Sequence, residues 1–118
     1  MQQLICHLIG DYWLQSHWMS INKKHNTLVA LIHAVFYTLP FLFITQSISA
    51  LSIICLLHAL IDRTNIVNKL NQLKNLNFKT TSGYPENTPE YLEKFLLIIQ
   101  DNTLHLIINF LTLKYSAY

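Results

Sequence analysis

Three long apolar runs constrain this chain more than any other feature. Residues 27–45, TLVALIHAVFYTLPFLFIT, carry no charge and one strongly polar side chain, His33. Nineteen residues at helical rise span about 28 Å, close to the hydrocarbon thickness of a bilayer. Residues 48–61 run uncharged as far as Asp62, and residues 95–113 are span-length but hold Asp101 and His105. A weaker apolar segment, 1–19, contains His7 and Asp11. None of these runs alternates with period two, so helices are expected and strands are not. The expected fold is all-α: a small bundle of about four helices, transmembrane, near 1–19, 27–45, 48–76 and 89–114, in a single domain over 1–118.

Local signals place the helix ends. Asn26 and Thr27 suit the N-cap of the second helix. Thr88-Pro89-Glu90 reads as an N-cap, a proline at the first helical position and an acid near the positive end of the helix dipole. Pro40 is tolerated inside a membrane helix as a kink. Residues 63–88 differ in composition, being rich in Asn, Lys and Thr. Ile66, Leu70, Leu73 and Phe78 fall near one face there, with Lys69 and Lys74 off it. That pattern fits a basic amphipathic helix on a membrane surface, or equally a helix packed on its neighbours. The loop 77–88 follows it.

Composition excludes several classes. Hydrophobic residues make up 52% of the chain and charged residues 12%, which rules out disorder. A net charge of +2, with the lysines spread out, leaves no nucleic-acid footprint. Cys6 and Cys55 lie in apolar runs without a C-x-x-C pattern, so neither a zinc finger nor a disulfide scaffold is expected. The N-terminus lacks a basic region before its apolar run, so no cleavable signal peptide is expected. Lys23 and Lys24 precede the second helix, and Arg63, Lys69, Lys74 and Lys79 follow the third. The positive-inside rule then puts loops 20–26 and 63–94 in the cytoplasm, with Arg63 near the surface, where it can hold an anionic headgroup.

The few acids are not scattered. Every aspartate has a histidine four residues away: His7 and Asp11, His58 and Asp62, Asp101 and His105. With six histidines in the chain, one aspartate has about one chance in ten of such a neighbour, so three of three is about one in a thousand. Residues i and i+4 share a helix face, so three helices each present an imidazole and a carboxylate together. His33 adds a fourth contribution at a similar depth. Ionisable groups within a membrane are costly and mark function by default.

Such a set suits a divalent metal, Zn, Fe or Mn, with His7, Asp11, His33, His58, Asp62, Asp101 and His105 as ligands. A metal-bound water is a nucleophile at neutral pH, so metal-dependent hydrolysis is one reading, with Asp11, His58 and Asp62 as catalytic groups. Without metal, each aspartate orients its histidine for acid/base chemistry or a proton path. A third reading is a polar network that only fixes helix register.

On these same residues the chain resembles a family of small phage and bacterial membrane proteins defined only as a domain of unknown function. The matching stretches are His7-Leu8-Ile9-Gly10-Asp11-Tyr12-Trp13-Leu14-Gln15, His33 with Tyr37, His58-Ala59-Leu60-Ile61-Asp62, and Asp101-Asn102-Thr103-Leu104-His105. The resemblance implies a polytopic helical protein of the bacterial inner membrane, often phage-borne, and implies no activity. The expected partners are the lipid bilayer and, beyond it, a second copy of the chain or a host protein. A non-enzymatic protein that binds a host membrane or defence protein is the competing function. A soluble helical domain with its apolar faces in an oligomer core is a third.

Overall fold

A computed structural model describes residues 1–116. Those residues form six α-helices and no strand. They are α1 (Gln2–Leu8), α2 (His17–Asn22), α3 (Thr27–Thr38), α4 (Ile48–Arg63), α5 (Ile66–Lys74) and α6 (Glu90–Ser116). A π-helical turn, Ile9–Trp13, continues α1, and a 3-10 turn, Leu39–Phe43, continues α3. The all-helical expectation holds, but the helices are more broken than the apolar runs suggested.

The first expected helix, 1–19, is three pieces. The wide π turn ends at Leu14, whose N–H donates to Ile9 O. Ser16 then takes an extended backbone and caps α2 by accepting from Met19 N. The third expected helix, 48–76, is two pieces, because Thr64 leaves helical geometry at the end of α4. Asn26 caps α3 through Leu28 N and Val29 N, as its side chain predicts. Pro40 does not kink a continuing α-helix; it stands near the start of the tighter 3-10 turn, where it gives up no hydrogen bond of its own.

The described residues group into two compact units, residues 1–64 with 105–116, and residues 65–104. In the first, α3 packs most extensively on α4. Small buried residues, Ala30 and Ala34 on α3 and Ala50 and Ala59 on α4, permit close approach. The buried apolar core is small: Cys6, Tyr37, Phe41 and Ile54. Gly10 lies against α3, and a Cβ there would sit 2.8 Å from Tyr37 O and 3.0 Å from Tyr37 Cα. Only glycine lets the π turn approach that backbone.

In the second unit, α5 holds the following loop by its polar face. Buried Asn71 donates to Ser82 O, Gln72 to Thr80 O at 2.8 Å, and Asn75 to Gly83 O at 3.2 Å. Gly83 turns the loop with φ of 80°, a left-handed conformation. The opposite face of α5 and the residues after it leave Leu70, Leu73, Leu76 and Phe78 exposed.

The first unit buries a cluster of ionisable side chains and leaves many large apolar ones exposed. His7 and His33 are fully buried, and Asp62, His58, His105 and Asn109 nearly so. Leu28, Val35, Phe43, Leu56 and Phe110 are exposed, Phe43 by 91%. Among the described residues one helix, Glu90–Ser116, is long and apolar enough to cross a membrane, and 17% of its apolar window is buried. The Thr27–Phe43 segment and α4 are shorter, at 17 and 16 residues, so four full-length spans are not what the helices provide.

Candidate metal centre

Four helical elements of the first unit bring the site together. The π turn carries Asp11, α3 carries His33, α4 carries His58 and Asp62, and α6 carries His105. One ligand atom from each of Asp11, His33, His58 and Asp62 lies within 4.8 Å of every other, and all four residues are buried. The contacts among them are tight. His33 Nε2 lies 3.0 Å from His58 Nε2, 3.1 Å from Asp11 Oδ1 and 3.3 Å from Asp62 Oδ2. His58 Nε2 lies 3.0 Å from Asp62 Oδ2 and 3.5 Å from Asp11 Oδ1.

These separations have a chemical meaning. Two ligand atoms each about 2.1 Å from one ion stand about 3.0 Å apart at a right angle and about 3.4 Å apart at the tetrahedral angle. Five of the six edges of this four-atom set fall at those lengths. The two facing imidazole nitrogens add a constraint. They cannot both carry hydrogen on the line between them, so either one accepts from the other or a cation sits against both lone pairs. Nδ1 of His33 and Nδ1 of His58 are buried without a hydrogen-bond partner, so nothing at those atoms dictates the tautomer.

Around this set lies a second layer. Asn109 Nδ2 donates to Tyr37 Oη at 2.6 Å, and Tyr37 Oη is 2.8 Å from His7 Nδ1. The direction of the Tyr37–His7 bond follows the His7 tautomer, and His7 Nε2 lies 3.8 Å from Asp11 Oδ2. Tyr37 also stacks on His58, with centroids 3.6 Å apart and planes inclined by 14°. The tyrosine thus fixes both a ring of the inner set and the histidine behind Asp11. His105 Nε2 stands 3.5 Å from Asp62 Oδ1. On the remaining side Lys23 Nζ meets Asp62 Oδ2 at 3.0 Å.

Residues 1–117 match the family described as "Protein of unknown function (DUF3307)". The chain belongs to the DUF3307 family. No curated protein and no solved structure matches it. The family resemblance read from the sequence is therefore correct as to the domain of unknown function.

Within this DUF3307 chain, the expected residues separate into two tiers. Asp11, His33, His58 and Asp62 form the close set. His7 and His105 stand behind it, each facing the second oxygen of one aspartate. Asp101 lies one turn before His105 on α6, half-buried, and belongs to the second unit. His17 and His25 are exposed, as the polar stretch around them suggests. Sequence reasoning placed neither Asn109 nor Lys23 at the centre, and used Lys23 only for topology. Asn109 was findable, since it continues the His105 stripe by four residues on the same helix. Lys23 carried no signal beyond standing in the loop before α3.

Proposed function

We propose that this protein is a small helical membrane protein whose buried His/Asp centre binds a divalent metal ion. Asp11, His33, His58 and Asp62 are the ligands, and His7 and His105 are the groups that support the set. The observation that carries this reading is the set of five contacts of 3.0–3.5 Å among the four ligand atoms. Two imidazoles and two carboxylates suit Zn, Fe or Mn. A bound ion of this kind supplies Lewis acidity and lowers the pKa of water toward neutrality, which is the chemistry of a hydrolase. In that version His58 would be a ligand only, and the carboxylate oxygens of Asp11 and Asp62 not engaged by the ion would serve as acid/base groups.

The membrane part rests on that placement of polar and apolar groups. A buried His/Asp cluster under exposed Leu, Phe and Val side chains is stable where the surroundings are hydrocarbon and costly in water. The basic face of α5, with Lys69 and Lys74 flanking exposed Leu70 and Leu73, suits the cytoplasmic surface of a bacterial inner membrane.

One observation favours a second reading. Both carboxylates already face cations or imidazoles, and Lys23 with one protonated imidazole would balance the charge of Asp11 and Asp62. The centre is then structural glue in a protein that acts by binding a host partner.

Elemental analysis of the purified protein separates the two. The metal reading predicts bound Zn, Fe or Mn in the wild type and its loss in His58→Ala and Asp62→Ala variants that keep their helix content. Absence of metal, with no gain in thermal stability when Zn or Mn is added, contradicts it. Carbonate extraction of membranes tests the location: the protein is expected to stay in the pellet.

A further inference from the structure

We propose that Lys23 is the resident cation of the centre, and that the site takes up one divalent ion in exchange for its ammonium group. This rests on the metal-binding reading above. Lys23 Nζ lies 3.0 Å from Asp62 Oδ2. The same oxygen faces His58 Nε2 at 3.0 Å and His33 Nε2 at 3.3 Å. An ammonium group and a metal ion therefore contend for one oxygen, and their like charges repel strongly at such separations in a buried site.

Charge gives the valence. Asp11 and Asp62 carry two negative charges between them, neutral imidazoles carry none, and Lys23 returns one positive charge. With Lys23 withdrawn, the deficit equals one divalent ion. Burying net charge is costly, so the exchange that takes the set from one net negative charge to neutrality is the favoured one. Trivalent ions and a second divalent ion overshoot.

The side chain is placed for such a move and its backbone is held. Lys23 is 16% exposed against 2% for Asp62, so its long stem can turn to the outside. Lys24 Nζ donates to Thr64 O at 3.0 Å, and Arg63 Nη1 donates to Lys24 O at 2.8 Å. Arg63 Nε adds a bond to Thr27 Oγ1 at 3.2 Å. These three bonds fasten the 23–27 turn to the end of α4, immediately beyond Asp62. Lys23 can then leave and return without the turn moving. Among the side chains that meet the carboxylates of the set, Lys23 at 16% is the most exposed, so it is the group that opens to the outside.

Isothermal titration of the full-length protein with Zn²⁺ tests this, comparing wild type, Lys23→Gln, Lys23→Met, Asp62→Ala and a distant charge control, Lys69→Gln. One ion per chain is expected in wild type and in all the lysine variants. The Kd should be at least tenfold tighter in both Lys23 variants, unchanged in Lys69→Gln, and lost in Asp62→Ala. Agreement between glutamine and methionine at position 23 excludes a new contact as the cause, and circular dichroism verifies the helix content. Unchanged or weaker binding in the Lys23 variants overturns the exchange while leaving the metal reading intact. Two ions per chain also overturns it. No binding by wild type or by any variant removes the metal reading and the exchange together.

Discussion

Tyr37 ties the inner set to the layer behind it. Its hydroxyl joins Asn109 to His7, and its ring stacks on His58. Tyr37→Phe keeps the ring and removes the relay, leaving buried polar atoms on Asn109 and His7 without that partner. The expected loss of stability is about 1–3 kcal/mol, read from chemical denaturation. Metal affinity should fall about tenfold, as it does when groups behind a ligand are lost. Unchanged values in both would show that the relay does not support the centre. At this scale much was legible in advance. The i and i+4 pairing of His58 with Asp62 survives intact, because α4 is a regular helix across both residues. His7 and Asp11 also face each other, but across a π turn and at 3.8 Å, so their spacing overstated the contact. Lys23 was hidden because its role depends on how the 23–27 turn folds back on α4, which periodicity does not encode.

Among the elements, the π turn Ile9–Trp13 decides whether Asp11 reaches the other ligands. It is seated by Gly10 against the backbone of Tyr37. Gly10→Ala forces the π turn away from α3, because the clash is with main-chain atoms that cannot rotate aside. The variant is expected to lose at least tenfold in metal affinity and about 1–3 kcal/mol of stability, the usual cost of overpacking. Wild-type affinity in this variant would show that Asp11 is not held by that contact. The break of the first segment at Ser16 was missed although Gln15, Ser16 and His17 interrupt its apolar residues there, and the capping serine was legible in hindsight. α5 makes a separate prediction. A nitroxide at position 73, introduced by Leu73→Cys after removing Cys6 and Cys55, should be accessible to oxygen and shielded from a polar nickel reagent in anionic nanodiscs. The reverse accessibility would place that face in water.

For the molecule as a whole, the informative quantity is where polarity lies. The apolar runs pointed to a membrane protein, and the structure adds that beneath their exposed faces a buried His/Asp cluster stands beside a small apolar core. The number of spans was not legible, since run length alone does not reveal a π turn, a 3-10 turn or the end of α4 at Thr64. The division into two units was only partly legible, as the change of composition after Arg63. What unites these scales is a buried set of two imidazoles and two carboxylates with the spacing of a coordination shell. Anomalous diffraction from crystals of the metal-loaded protein tests that most directly. The account predicts one anomalous peak per chain, about 2.1 Å from Nε2 of both His33 and His58. Data from loaded crystals with no peak at that position, or with metal only at the exposed His17 or His25, would contradict it.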